Sequence, residues 1–530
     1  MNHTIHPRIL LCTLIITVLL FLALLLFAPS VFNNLDLHHT GTVYKGPVSH
    51  SPVPPPGVMP VVILNGSPYE MGYQYALQVP EYIAIVRDAA WASALSGKSY
   101  EEVLDSVQTS RTYISSELRH FDFMLFFQGV SDAMNVQGIP FTPEDLLVIQ
   151  SYGARKGPVP DEHCTTFALS DPHNRSSTFA GTNFDYYQVP ANSYSVLLAL
   201  YPDTGISCVI PTGAGRLGSN AVVNDAGLVY LLTSSPADDT GDSGPGITGF
   251  LEIPYVGMTA KSVSEAETIL LNITRAFALN RLLVDHAGEM EVIEATRKKY
   301  AIRSPNSTDT HEYIIATNHY LDPAMNRSQV PWDPEQNYPS SYYRYLTAEK
   351  MIREYNQPVN STFSQDILQS CNWWDGREWH RDDPYSKNTI NRFRPDVGSL
   401  YSFIAAPGLH QVLVCLGNPG KPWWGTKAPG QTGTYVKMPV GKTPEFLVYQ
   451  LKNDADARMW ETVQDMDHES FEEREDQWAA LEEQYWNGVW WQNRGVLEED
   501  QNMKMMAFGK AATNFSYVIA HTEKMRESGV

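Results

Sequence analysis

Cys164 is the residue whose placement first suggests chemistry. It stands in EHCTTFAL, after a charged turn of Pro160, Asp161, Glu162 and His163, at the head of a run with strand character. A cysteine that opens a strand can become a chain terminus. Cutting the His163–Cys164 bond would free an α-amine, with an unperturbed pKa of about 7.7–8.0, beside the thiol. One residue would then supply both nucleophile and general base. The competing reading is a small buried hydrophobe, the usual fate of a free cysteine. The chain has five cysteines. Cys12 sits in an apolar run, and Cys208, Cys371 and Cys415 with Cys164 do not make a disulfide scaffold. There is no CxxC pair and no HExxH, GxSxG or P-loop pattern, so zinc, α/β-hydrolase and nucleotide chemistry have no foothold, and no cofactor is expected.

The elements that must position Cys164 change character at that residue. From Val61 to about Gly153 the chain reads as a short strand (VVILNG), a turn and helices with apolar residues at three- and four-residue spacing. Thr142, followed by Pro143, Glu144 and Asp145, makes a helix start with a capping hydroxyl, proline at the first position and acids in the first turn. Beyond Cys164 come short runs such as TFAGTNF, SVLLALY, GLVYLLT, RLLVDH, MEVIEAT, YIIAT, LYSFIA and QVLVCLG, separated by turn residues. Helices interrupt them near Ser262 to Leu271 and Tyr342 to Tyr355. Blocks of strand and helix, without strict alternation, predict an α+β fold of mostly antiparallel sheets with helices outside. From Thr443 the chain turns acidic and Trp-rich (Trp460, Trp478, Trp486, Trp490, Trp491) and reads as amphipathic helices whose tryptophans anchor on the body.

At 530 residues and 43% hydrophobic the chain can bury a large core. Its 59 acidic against 38 basic residues give a formal charge of −21, which disfavours nucleic acid and anionic headgroups as partners. Ile9 to Ala28 is an uninterrupted apolar run; at about 1.5 Å per residue it matches a bilayer core of about 30 Å. It reads as a signal-anchor transmembrane helix, the alternative being a cleaved signal peptide, whose apolar region is shorter, about 7–15 residues. Arg8 on the short side then places the rest in the lumen or outside the cell, a single-pass topology in the secretory pathway. Acceptor triplets at Asn65, Asn174, Asn272, Asn306, Asn326, Asn360 and Asn514 agree with it. A Pro-rich stretch, PVSHSPVPPPGVMP, suits a stiff tether. The expected organisation is therefore 1–28 stub and anchor, 29–60 linker, 61–163 helical leader, 164–442 catalytic core and 443–530 C-terminal extension.

VVILNGSPYEMGYQYA, FTPEDLLVIQ, CTTFAL with AGTNFDYY, and GSLYSFIAAPGLHQVLVCLGNPG together make the chain, from about Val61 to Pro419, resemble the penicillin acyltransferase-like (isopenicillin N acyltransferase) family of N-terminal-nucleophile cysteine hydrolases, relatives of the choloylglycine hydrolases. VVILNGSPYEMGYQYA looks like the family's opening strand, turn and helix, and FTPEDLLVIQ like the helix before the nucleophile. CTTFAL followed by AGTNFDYY looks like the two hairpin strands carrying its cysteine and aspartate. GSLYSFIAAPGLHQVLVCLGNPG looks like the closing hairpin. The resemblance implies a four-layer αββα sandwich and catalytic roles residue by residue. Asp185 would hold the α-amine of Cys164 in position, like the orienting third member of a triad. In SNAVVNDAGLVYLL, Asn224 would donate to the oxyanion, a contact worth about 2.7–4 kcal/mol of barrier, and Gly227 would permit the turn. In IIATNHYLD, Asn318 would border the nucleophile and assist the oxyanion or orient substrate. In SSYYRYLTAEKM, Arg344 would point at the active centre and steady a thiolate or a substrate carboxylate. His319 reads as structural, or as the base if no cleavage occurs.

Two positions depart from the pattern. His163 stands where penicillin-processing members carry Gly, and Thr182 where bile-salt-hydrolysing relatives carry Arg. The function expected is an autoprocessed hydrolase or acyltransferase that cleaves a linear amide, small or lipid-like, through a thioester on Cys164. The rivals are a phospholipase B-like or ceramidase-like lipid acyl hydrolase, with an apolar cleft lined by residues such as Phe123, Phe126 and Phe127, and a catalytically silent tethered ectodomain.

Overall fold

A computed structural model describes residues 58–152, 164–187, 194–235, 244–329, 339–383, 385–394, 396–420, 434–441, 443–465 and 474–527. The apolar run Ile9 to Ala28, most of the linker and His163 lie outside the described residues. Among the described residues no helix is long and apolar enough to cross a membrane.

The strands are β1 (Val61–Gly66), β2 (Thr165–Asp171), β3 (Asn174–Tyr187), β4 (Ser195–Pro202), β5 (Cys208–Gly213), β6 (Ala221–Asn224), β7 (Val229–Ser234), β8 (Leu279–Val284), β9 (Met290–Ala295), β10 (Tyr300–Arg303), β11 (Asn306–Ser307), β12 (Glu312–Ala316), β13 (Trp373–Trp374), β14 (Trp379–His380), β15 (Val397–Ala406), β16 (Gln411–Leu416) and β17 (Val436–Pro439). The helices are α1 (Pro68–Gln78), α2 (Pro80–Ala94), α3 (Tyr100–Glu117), α4 (Phe123–Val136), α5 (Pro143–Tyr152), α6 (Gly249–Thr259), α7 (Val263–Asn272), α8 (Pro339–Glu354), α9 (Ser361–Gln369), α10 (Pro444–Asp465), α11 (Glu475–Leu497) and α12 (Gln501–Glu527). An eight-stranded sheet runs β1-β4-β5-β6-β7-β8-β9-β10 and a seven-stranded sheet runs β11-β12-β2-β3-β15-β16-β17. Among the described strands all pairings are antiparallel except β1 with β4, which is parallel.

The period-two alternation of each strand sorts its side chains between cores. Val62, Leu64, Leu198 and Tyr230 meet helices α1–α7, while Ile63, Leu197, Val229 and Leu231 meet Ala168, Ala180, Ile314 and Phe403 of the second sheet. On the far side of that sheet, Phe167, Leu169 and Ile315 pack on Ile352 of α8 and Ile367 of α9. The order is helices, sheet, sheet, helices. Leu447 and Leu451 of α10 and Phe508, Phe515 and Val518 of α12 join the inter-sheet core.

The leader strand β1 is an edge strand, and its free backbone groups must find partners. Gln74 and Gln78, one turn apart on α1, act in place of a neighbouring strand. Gln78 accepts from Ile63 N at 3.2 Å and donates to Ile63 O at 2.8 Å, and Gln74 does the same for Asn65 at 2.8 and 2.9 Å. Thr513 of α12 accepts from Val61 N at 2.9 Å. Helix α1 starts at a capping box of Ser67 and Glu70 with Pro68 in its first turn. It crosses α4 where Gly72 faces Gly129, so tightly that a Cβ on either would strike the other helix's backbone. Thr142 and Asp145 cap α5 reciprocally, as its sequence predicts.

One glycosylation expectation needs correction. Asn514 is buried on α12 and its amide donates to Lys510 O at 2.8 Å, which leaves no room for a glycan in this fold. Asn65 is half-buried, and its Nδ2 donates to Tyr201 O at 3.0 Å across the β1–β4 pair. Asn174, Asn272, Asn306 and Asn360 are exposed and Asn326 is half-buried. The tryptophan expectation divides: Trp478 is buried, but Trp460, Trp486 and Trp490 are exposed.

Candidate active site

Strand pairing brings the chemistry together. Cys164 directly precedes β2, which lies between β12 and β3. Thr166 pairs with Ala316 on one side and Thr165 with Asn183 on the other. Asn318, two residues past β12, and Asp185, two residues past Asn183, therefore flank Cys164. The Cys164 N–H donates to Asn318 Oδ1 at 3.1 Å and its thiol lies 3.9 Å from Asp185 O. Cys164 is 6% exposed, and Asp185, Asn318 and Arg344 are fully buried.

Arg344 lies in the first half of α8 and crosses to the head of β2. Its guanidinium donates to Cys164 O, to Thr165 Oγ1 at 2.8 Å and to Asn318 Oδ1 at 2.8 Å. Asn318 is held at its other end too: Nδ2 donates to Ser234 O at 2.8 Å and Ser234 Oγ at 3.1 Å, and its backbone N–H to Ser341 Oγ at 2.6 Å. With so many contacts it cannot rotate freely, so the Cys164 nitrogen is fixed in direction.

Asp185 faces β15. A bulge at Leu400 interrupts the β3–β15 register beside Ser399, whose hydroxyl donates to Asp185 Oδ1 at 2.6 Å. Arg392 Nε stands 3.7 Å from Asp185 Oδ2. Arg392 also donates to Ser340 Oγ, and Arg344 Nε reaches the same oxygen at 3.4 Å, so one hydroxyl links the two buried guanidiniums. Burial pushes the Asp185 carboxyl up to about 6 against the pull of Arg392 and the Ser399 hydrogen bond. Burial, then the Asp185 charge, pushes the Cys164 thiol up to about 12, with the Asp185 backbone and both arginines opposing. In the uncut chain Cys164 is a neutral thiol at neutral pH. A base must take its proton before it can attack.

His319 is not placed as that base. Its Nδ1 is within hydrogen-bond distance of Ser341 Oγ at 2.7 Å and Thr317 Oγ1 at 3.1 Å, and burial holds its pKa down to about 3. Asn224 departs from its expected role. Its Nδ2 donates to Gly257 O at 2.8 Å and Ala260 O at 2.7 Å, and its Oδ1 accepts from Ala226 and Leu228. It closes a turn, in which Gly227 has φ +79°, and has no donor left for an oxyanion. Thr182 accepts from Asn220 Nδ2 at 2.8 Å, and Tyr401 holds the other end of that amide at 2.8 Å.

Ser234, Ser340, Ser341, Arg392 and Ser399 are the residues that motif reading missed. The signal for Arg392 and Ser399 was their position: an arginine in the loop before, and a serine at the start of, the strand that pairs with the Asp185 strand. Among the described residues, Asp375, Glu378 and His380 are close enough to share a metal ion, but they form an exposed to half-buried hairpin outside this site.

The site is thus a buried cysteine heading a central strand, fixed through its nitrogen and enclosed by one carboxylate and two guanidiniums. Residues 173–420 match the family described as acyl-coenzyme A:6-aminopenicillanic acid acyl-transferase. The resemblance read from the motifs therefore holds over that segment, which contains Asp185, Asn318, Arg344 and Arg392 and begins after Cys164. A protein of Archaeoglobus fulgidus described as uncharacterized is 22% identical over 308 residues, covering 49% of this chain and 50% of that protein. The chain thus spans half the length of that relative. Penicillin V acylase from Agrobacterium tumefaciens is similar in structure at 14% identity and TM-score 0.30, covering 48% of this chain and 83% of that one. The Caenorhabditis elegans N-acylethanolamine-hydrolyzing acid amidase ortholog is similar at 13% identity and TM-score 0.34, covering 46% and 94%.

Proposed function

We propose that the protein is an N-terminal-nucleophile amide hydrolase or acyltransferase in which Cys164, freed by cleavage after His163, forms a thioester with the acyl group. The four layers correspond to the αββα sandwich of that class. The observation that carries the reading is the Cys164 nitrogen held on Asn318 Oδ1 while its thiol sits against Asp185. Once the upstream peptide is gone, the same oxygen holds an α-amine, whose lone pair is then the nearest base to the thiol.

The steps balance without a cofactor. The amine takes the thiol proton and the thiolate attacks the substrate carbonyl carbon. The oxyanion accepts from Asn318 Nδ2, replacing its 3.1 Å contact to Ser234 Oγ. The ammonium returns the proton to the leaving nitrogen as the C–N bond breaks, and water, or an acceptor amine, repeats the sequence on the thioester. Arg344 and Arg392 stabilise the thiolate.

The lipid-hydrolase rival asked for a cleft lined by Phe123, Phe126 and Phe127. These are at most 1% exposed, packed between the leader helices and the first sheet. The test is a panel of N-acyl amines with the purified full chain. Wild type should release the amine and carry a hydroxylamine-sensitive acyl group, and Cys164→Ala should do neither. Equal turnover by the two proteins would dismiss Cys164.

A further inference from the structure

The helix layer over the first sheet contains an open groove of about 770 Å³, within the size range of small-molecule sites. It lies between the C-terminal ends of α3, α6 and α7 and the β4–β5 turn. Its floor is apolar: Tyr255 and Met258 are buried, and Ile206, Ile269 and Ile273 complete it. Tyr255 belongs to the core outside the first sheet, whereas Cys164 heads a strand of the second sheet, so the groove is not the site already described.

The rim has the opposite sign to the molecule. In a chain of charge −21, two cations, Arg119 and Lys261, are among the residues that line the groove. The lining carboxylate, Glu117, is spent on Thr274, whose N and Oγ1 donate to it at 2.6 and 2.7 Å. Arg119 uses Nε on Ser116 O at 2.7 Å, and neither Arg119 nor Lys261 forms an ion pair with a described residue. The His120 ring stacks on the floor residue Tyr255 with centroids 6.3 Å apart, which ties this rim to the floor.

We infer that this groove binds a single-chain anionic amphiphile, a fatty carboxylate, with its head between Arg119 and Lys261 and its chain along Tyr255, Met258 and Ile269. A small polar anion would leave the floor wet, and a neutral lipid would forgo the attraction of both cations.

The test uses the full chain and a fatty acid carrying a diazirine at the chain end, cross-linked by light and mapped by tandem mass spectrometry. Adducts are expected between Tyr255 and Ile273, competed by dodecanoate at least tenfold better than by dodecanol, a difference of about 1.4 kcal/mol. The double variant Arg119→Glu/Lys261→Glu changes exposed side chains only and should cut labelling at least tenfold with an unchanged circular dichroism spectrum. Equal competition by the alcohol, unaltered labelling of the double variant, or adducts mapping elsewhere would each overturn the inference. Because the readout needs no turnover, it stands or falls separately from the proposed reaction.

Discussion

Asp185 is the residue on which the acid limb of activity should turn. Its carboxyl is raised to about 6, so it is neutral below that pH and charged above it. The charged form faces Arg392 and stabilises a nearby ammonium; the neutral form does neither. Rates are therefore expected to rise with pH through about 6 and to keep rising as the amine, unperturbed at about 7.7–8.0, loses its proton. Asp185→Asn should abolish the limb near 6 and lower kcat at pH 8 by roughly 10²–10⁴-fold, the usual range for losing a group that supports proton transfer. A pH–rate profile of the two proteins checks this; an unchanged limb in the variant would assign it to another group. Legibility at this scale was uneven for a physical reason. Cys164, Asp185, Asn318 and Arg344 sit in or beside regular elements with local signatures, and they converge. Arg392 and Ser399 act through a loop and a bulge, which carry no periodic signal. Asn224 misleads because Asn-x-x-Gly describes a turn as well as it describes a donor, and here the turn takes every hydrogen bond that the side chain can make.

At the level of elements, the leader holds itself to the body by a device that strand pattern alone does not reveal. VVILNG is legible as a strand, but its edge position, and the two glutamines that finish its hydrogen bonding, depend on where α1 lies. Gln78→Ala leaves Ile63 N and O without their side-chain partner. With a buried amide left unsatisfied, the cost should be about 1–3 kcal/mol, read as a lower Tm in calorimetry. Gln78→Glu keeps the acceptor but sets a carboxylate oxygen against Ile63 O and Gln74 O, and should melt below the wild type as well. If Gln78→Ala melts with the wild type, the edge is satisfied by something else. Helix α6 has a sequence unfavourable to a helix: GFLEIPYVGMT has a proline in mid-helix and glycines near both ends. Tertiary burial overrides them, since Glu252 of this helix forms a fully buried pair with Arg281 at 2.8 Å.

For the molecule as a whole, the strand order decides what cleavage after His163 can do. β1 pairs with β4 over six residues, and α1–α5 cover the first sheet, so the leader is part of the core that the remainder needs. Both pieces should stay together after cutting, running as one species in size-exclusion chromatography and as two bands under denaturing conditions. Separation of the pieces without denaturant would contradict this sheet order. The overall class was readable because alternating runs and turn residues mark antiparallel sheets. The closure of the sandwich by α10 and α12 was not, because an amphipathic helix carries no record of where it docks: Thr513 of α12 meets Val61, 452 residues away.

If Cys164 becomes a chain terminus, N-terminal sequencing and intact mass of the purified full chain beside Cys164→Ala will show it. The expected result is a wild-type fragment beginning CTTFAL and a variant that stays whole. A wild-type chain that remains uncut while it hydrolyses amides, or a fragment starting elsewhere, would contradict it.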